Sequence, residues 1–88
     1  MSWAIEFTAS SRKDLQRLST ADQRRITDYL QNRVASHENP RALAKRLSGI
    51  KEELWRFRVG DYRIIAQFHQ RQLIVLVMEI GHRGDVYR

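Results

Sequence analysis

One segment of the chain alternates strictly between apolar and cationic side chains. Residues 55–59, WRFRV, carry Arg56 and Arg58 between aromatic and aliphatic neighbours. A period of two is typical of a β-strand with one buried and one exposed face. The dipeptide GD at 60–61 follows directly, with glycine first, as a two-residue type II′ turn requires. The chain is therefore expected to fold back here as a β-hairpin, with residues 62–69 as its second strand.

The position of this turn determines which residues face each other across the hairpin. With residues 60 and 61 as the loop, Arg58 faces Arg63, and Arg56 lies two residues along on the same face. Like charges directly opposite each other destabilise a strand pair, so the arrangement suggests that an anion binds there. Arginine suits phosphate because its guanidinium donates paired hydrogen bonds. A solvated basic sheet face is the alternative interpretation.

The chain is short and strongly basic. It has 88 residues, a formal net charge of +6 and no cysteine. This length predicts a single domain over residues 1–88, and the charge favours polyanions or acidic proteins as partners. Without cysteine there is no disulfide or thiolate metal site, and the three histidines lack a metal-binding spacing, so we expect no metal and no cofactor. No apolar run resembles a signal peptide or membrane span, which predicts a cytoplasmic protein that does not bind membranes.

The sequence before the hairpin predicts one strand and two helices. Residues 3–7 alternate as a short strand, Ser10 or Ser11 is a candidate helix N-cap, and Thr20-x-x-Gln23 has the form of a capping box. Two helices with so short a break predict a helical hairpin on one face of a sheet. Residues 40–47 predict a short helix or turn. Positive charge just ahead of the arginine strand is supplied by Lys45, Arg46 and Lys51.

The last predicted strand, residues 73–80, is apolar at almost every position. Apolar residues on both parities predict a central strand that is covered on both faces. Glu79 is the exception. We interpret it as an ion-pair partner of Arg63, with a catalytic base as the alternative.

The tail, GHRGDVYR, brings together a titratable ring, a cation and an aromatic ring. These are His82, Arg83 and Tyr87, and glycines on either side of the His-Arg pair allow sharp turns. Taken alone, such a cluster is usually polar surface.

The pattern W-R-F-R-V-G-D-Y-R-I-I, followed by an apolar strand and G-H-R-x-D-V-Y, resembles the RelE/ParE toxin superfamily. More narrowly, it resembles the RelE-type ribosome-dependent mRNA interferases. The resemblance implies an α+β fold with the order β-α-α-β-β-β. In that fold a small, antiparallel-rich, four-stranded sheet carries the N-terminal helical hairpin on one face, and the first strand lies beside the last.

The resemblance also implies an activity. Such toxins belong to type II toxin–antitoxin systems and inhibit translation by cutting mRNA in the ribosomal A site. The ribose 2′-hydroxyl attacks the adjacent phosphate and leaves a 2′,3′-cyclic phosphate. The family's catalytic positions fall on Arg56, Arg58, Arg63, Arg83 and Tyr87. The same five residues, together with Lys45, Arg46 and Lys51, are the expected RNA-binding residues.

The roles implied for these residues are physically reasonable. Arg63 and Arg83 would hold the scissile phosphate and neutralise the charge of the transition state, and Tyr87 would stack on a base. Arg56 or Arg58 would assist proton transfer or stabilise the leaving oxygen. Arginine is a poor general base because it stays protonated, so the proton acceptor is left open. His82 is a candidate for it, with positioning of the loop as the alternative.

The expected partners follow from the same resemblance. They are a cognate acidic antitoxin, the ribosome with its 30S A site and ribosomal RNA, and mRNA, with operator DNA bound only through the antitoxin. Two other functions are compatible with the sequence. One is a ParE-type gyrase poison on the same fold. The other is a non-catalytic RNA- or ribosome-binding module, in which the arginines only grip phosphates.

Overall fold

In the computed structural model, which describes residues 2–49 and 51–82, five strands form one sheet and two helices pack on it. In chain order the elements are β1 (Ala4–Phe7), α1 (Ala9–Gln16), α2 (Thr20–Asp28), a π-helix (Tyr29–Val34), a 3₁₀-helix (Pro40–Leu43), β2 (Lys45–Arg46), β3 (Trp55–Val59), β4 (Tyr62–His69) and β5 (Ile74–His82).

The sheet is mixed, with the order β1-β5-β4-β3-β2. β1 pairs in parallel with β5, and every other neighbouring pair is antiparallel. The predicted α+β class and the position of the first strand beside the last are thus confirmed. The predicted hairpin is also present, since β3 and β4 pair on either side of residues 60 and 61. Gly60 has a φ of +57°, as the first turn residue of a type II′ turn requires.

The number of strands differs from the four that were predicted. Residues 40–47 form a 3₁₀-helix and then the short strand β2, whose two residues pair with Arg56 and Trp55 at the edge of the sheet. A strand of two residues shows no alternation, so periodicity could not reveal it. The predicted N-cap of the first helix is also wrong, because Thr8 caps it by accepting a hydrogen bond from the Ser11 N–H.

The core lies between the helices and one face of the sheet. Ile26, Leu30 and Val34 are completely buried against strand residues of that face, such as Phe57 and Ile64. These three side chains recur every four residues along α2 and the π-helix, so they form one apolar stripe. The opposite sheet face carries no described helix, and we call it the open face.

The central strand β5 is covered less completely than predicted. Val75 and Val77 are fully buried on the helical face, whereas Ile74 and Leu76 are only half-buried on the open face. Apolar residues on both parities therefore indicate the central position of this strand correctly. The prediction that both faces of this strand are covered is not confirmed, because its open-face residues are only half-buried.

A row of polar side chains from the start of α1 continues the sheet where β1 ends. Ser11, which is completely buried, has its Oγ 2.7 Å from the Val77 carbonyl oxygen, and the Thr8 N–H donates to the same oxygen at 3.1 Å. One turn later Asp14 accepts a hydrogen bond from the Ile80 N–H at 3.1 Å. These bonds satisfy the edge of β5 beyond the last residue of β1.

Replacement of Ser11 by Ala should lower the free energy of unfolding by about 1–2 kcal/mol, since a buried hydroxyl then no longer bonds the Val77 carbonyl. The exposed neighbour Ser10 is the matched control, and Ser10→Ala should change stability by less than about 0.5 kcal/mol. Urea denaturation followed by circular dichroism measures both. Equal stabilities of the two variants would contradict this account of the α1–β5 junction.

Candidate functional site

The open face of the sheet carries two arginines in direct opposition. Arg58 on β3 pairs with Arg63 on β4, and Arg63 pairs in turn with Gly81 on β5. The predicted register of the hairpin is therefore present. Since Gly81 has no side chain, this position of β5 adds no bulk beside Arg63. This row of three residues places two guanidinium groups on one surface, next to a position of β5 that has no side chain.

A second row lies one step along the strands. Arg56 pairs with Ile65, and Ile65 pairs with Glu79, so the open face carries a third arginine and a carboxylate. Arg56 is half-buried, and its Nε is buried without a hydrogen-bond partner among the described residues. A buried donor of this kind can bind an acceptor from a ligand. We call Arg56, Arg58 and Arg63 the arginine cluster.

The other predicted RNA-binding cations lie in different directions. Lys45 is the cross-strand partner of Arg56, so it extends the cationic surface toward the edge of the sheet. Arg46 pairs with Trp55 and therefore projects from the helical side. Lys51 is exposed in the loop that follows β2. Of these three residues, only Lys45 is a cross-strand neighbour of the arginine cluster.

His82 lies on the helical side of the sheet, away from the arginine cluster. It pairs with Tyr62, and the two rings are 4.7 Å apart between centroids. The Tyr62 hydroxyl donates a hydrogen bond of 2.8 Å to Asp22 on α2, which raises the pKa of the phenol. This placement argues against His82 as a proton acceptor for chemistry on the open face. Its contact with Tyr62 instead supports the alternative, a positioning role at the end of β5.

The side of the sheet on which His82 lies is set by an irregularity in β5. The pairing of β4 with β5 shifts between Ile65 and Ala66, whose partners are Glu79 and Val77. Met78 is therefore the extra residue of a β-bulge. Val77 and Ile80 both face the core as a result, while Glu79 is turned to the open face. Without the bulge, strict alternation from Val77 would direct Glu79 into the core.

Glu79 does not form the predicted ion pair with Arg63. Gly81 stands opposite Arg63, and Glu79 has no ion pair with any residue in the ranges 2–49 and 51–82. Although Glu79 is an exposed residue, partial desolvation of its carboxyl raises the pKa, and the nearby charge of Asp14 raises it further. A carboxyl with a raised pKa is a better proton acceptor near neutral pH than an ordinary one.

Two of the predicted site residues, Arg83 and Tyr87, lie outside the described residues. No group of three or more acidic or histidine side chains in the described part of the chain is arranged to hold a metal ion. None of the described helices combines the length and the apolar character that are needed to cross a membrane. A cavity of about 370 Å³ is lined by Trp3, Glu38, Gln70 and Leu73. It lies near the β4–β5 turn, at the end of the strands away from the β3–β4 turn and the arginine cluster.

The chain resembles known toxins over its whole length. A curated relative, toxin RelG of Mycobacterium tuberculosis, is 23% identical over 88 residues, which cover 100% of this chain and 99% of the relative.

Solved structures share the fold. The toxin–antitoxin complex RelBE2 of M. tuberculosis contains a chain that superposes with a TM-score of 0.85 at 20% identity, and the match covers 97% of this chain and 95% of that one. The archaeal RelE–RelB complex of Pyrococcus horikoshii matches with a TM-score of 0.75 at 25% identity and covers 97% and 99%.

The model of one protein family matches residues 5–87, and this family is described as the ParE toxin of the type II toxin–antitoxin system parDE. This match includes the arginine cluster, β5 and most of the tail. The chain therefore belongs to the ParE toxin family of type II toxin–antitoxin systems, within the RelE/ParE superfamily.

Proposed function

We propose that this toxin is an endoribonuclease that cleaves mRNA in the ribosomal A site and so inhibits translation. The observation that carries the proposal is the direct opposition of Arg58 and Arg63 on the open face, with Arg56 one step away. Guanidinium groups donate paired hydrogen bonds to phosphate, and RNA supplies one phosphate per nucleotide.

The proposed chemistry requires charge stabilisation more than any other contribution. Attack of the 2′-oxygen on the adjacent phosphate builds negative charge on the phosphoryl oxygens, and guanidinium groups aimed at these oxygens lower the barrier. Arg63 would hold the phosphate together with Arg83, and Arg56 or Arg58 would stabilise the leaving 5′ oxygen. Tyr87 would stack on a base and keep the nucleotide aligned. The roles of Arg83 and Tyr87 rest on the family resemblance alone.

The shape of the open face explains why the ribosome is part of the proposal. The arginine cluster lies on an open sheet surface, while the cavity of the described residues lies at the far end of the strands. A flexible RNA on an open surface rarely has its 2′-oxygen in line with the P–O5′ bond, and correct orientation contributes much of the rate in such reactions. The decoding site would supply this orientation, which makes the cytoplasm the proposed place of action.

Replacement of Arg63 by Ala should slow cleavage of a reporter mRNA in purified translating ribosomes by about 10²–10³-fold, since one donor to the transition state is lost. Primer extension under single-turnover conditions measures this rate. Arg24→Ala is the matched control, because it removes the same charge from the exposed surface of α2, and it should cleave nearly as fast as wild type. Cleavage by Arg63→Ala at the wild-type rate would contradict the proposal.

Two rival functions give different results in the same experiment. A non-catalytic RNA- or ribosome-binding module would leave the mRNA intact with wild type, and alanine substitutions in the arginine cluster would only weaken binding gradually. A gyrase poison is the second candidate, since the matching family model is described by the ParE toxin. It would also leave mRNA intact, but it would accumulate cleaved plasmid in an assay with purified gyrase.

We further propose that a cognate acidic antitoxin restrains this toxin. Two of the solved relatives are toxin–antitoxin complexes, and the formal net charge of +6 suits an acidic partner. The antitoxin would cover the open face or displace the tail, and operator DNA would be bound only through it.

Addition of the antitoxin encoded beside this chain should therefore abolish cleavage at one-to-one stoichiometry. Titration of the antitoxin into the primer-extension assay measures the endpoint. An Arg58→Glu toxin should bind the antitoxin more weakly if the partner covers this exposed residue, whereas Arg24→Glu should not. Full cleavage by the stoichiometric complex would count against restraint at the open face.

A further inference from the structure

We infer that Glu79 is the general base that takes the proton from the attacking 2′-hydroxyl. This inference rests on the proposed function and deepens it, because it names the group that the arginine cluster lacks. It also makes the β5 bulge a functional feature.

Cleavage by 2′-hydroxyl attack needs a proton acceptor close to the phosphate. Arginine stays protonated at physiological pH, so none of the three residues of the arginine cluster is suited to this role. The ring of His82 packs on Tyr62 on the helical side of the sheet, away from the arginine cluster. Among the residues that the structure describes, the acceptor is therefore sought in another side chain on the open face.

The bulge brings Glu79 to this face. Glu79 shares a row with Ile65 and Arg56 across three strands, and it lies two residues from Gly81, the partner of Arg63. Diagonal neighbours of this kind have Cα atoms roughly 7–8 Å apart, and a glutamate and an arginine from such positions can reach one phosphodiester between them. Bulges that re-aim a side chain are common beside active sites.

The surroundings of Glu79 keep its carboxylate available. Asp14 on α1 is the charged group that acts on its pKa, and Arg63 on β4 and Arg56 on β3 lie on the same face of the sheet. Glu79 has no ion pair among residues 2–49 and 51–82, so no described cation neutralises it. Partial desolvation and the charge of Asp14 raise the pKa of Glu79, which increases its affinity for a proton.

Three other carboxylates of the described part of the chain are less suited. Asp14 accepts the Ile80 N–H, and Glu52 accepts a hydrogen bond from the Gln67 side chain at 3.3 Å. Glu6 stands on β1 beside Leu76, on the far side of β5 from the arginine cluster. Glu52 and Glu6 therefore provide controls on the same face.

In the step proposed here, Glu79 removes the 2′-hydroxyl proton while the 2′-oxygen forms a bond to phosphorus. The bond between phosphorus and the 5′ oxygen breaks, and its electron pair leaves on that oxygen, which takes a proton from solvent. The products are a 2′,3′-cyclic phosphate, a 5′-hydroxyl and a protonated Glu79, which returns its proton to solvent.

The test is the pH dependence of single-turnover mRNA cleavage on purified ribosomes, with wild type, Glu79→Gln, Glu79→Asp, Glu52→Gln and Glu6→Gln. Wild type should become faster as pH rises through the pKa of Glu79 and then level off. Glu79→Gln should be about 10²–10⁴-fold slower and should lose this dependence, with unchanged affinity for the ribosome. Glu79→Asp should be slower but keep the pH dependence, while the two controls should behave as wild type.

A purely structural role for Glu79 would make the Glu79→Gln variant less stable than wild type, whereas the raised pKa of Glu79 predicts that this variant is at least as stable. Because the fold raises the pKa of Glu79, protonation stabilises the folded state below the unfolded-state pKa, and this gain is lost as pH rises through the folded-state pKa. Glu79→Gln should therefore melt at or above the wild-type temperature at pH 7, and the difference should vanish in acid. Lost cleavage in a variant that is no less stable supports a catalytic role.

Two outcomes would overturn the inference. Cleavage by Glu79→Gln with the wild-type rate and pH profile would exclude Glu79 as the base, as would loss of activity in Glu52→Gln alone. Absence of cleavage by wild type itself would be distinct from both, because it would refute the ribonuclease proposal and remove the reaction that this inference requires.

Discussion

The open face depends on one constraint, the register of the β3–β4 hairpin. The turn at 60–61 sets Arg58 against Arg63, and this opposition costs up to about 1 kcal/mol. Slipping the register by one residue would relieve it, but it would also turn side chains such as Phe57 and Ile64 out of the core. Each of them contributes about 1.5–3 kcal/mol through burial, so apolar packing overrides the repulsion and holds two cations together on the surface.

The β-bulge at Met78 gives β5 two different roles along its length. Before the bulge, Val75 and Val77 pack beneath the helices, and after it Ile80 and His82 take over the same side. The change of parity turns Glu79 toward the arginines and leaves His82 against Tyr62. The polar side chains of Thr8, Ser11 and Asp14 bond the edge of β5 through this same stretch, so α1 stabilises the strand where its pairing with β1 has ended.

Sequence reasoning succeeded where the determining contacts are local. The hairpin, its turn and the opposition of Arg58 and Arg63 all follow from ten consecutive residues, and the structure contains them. It failed where pairing with another strand determines the local structure. The short strand β2 exists only because β3 lies beside it, and the faces of His82 and Glu79 depend on a bulge that alternation cannot predict. The ion pair predicted between Glu79 and Arg63 required a register that the loop before β5 left open.

A cryo-electron microscopy structure of this toxin on a ribosome whose A-site codon carries 2′-O-methyl groups would show which face of the sheet binds the codon. Such an mRNA can bind but cannot be cleaved by 2′-hydroxyl attack. We expect the open face to lie on the A-site nucleotides, with the arginine cluster at the scissile phosphate and Glu79 beside the methylated oxygen. A complex in which the helical side of the sheet contacts the codon, or in which the A site stays empty, would contradict it.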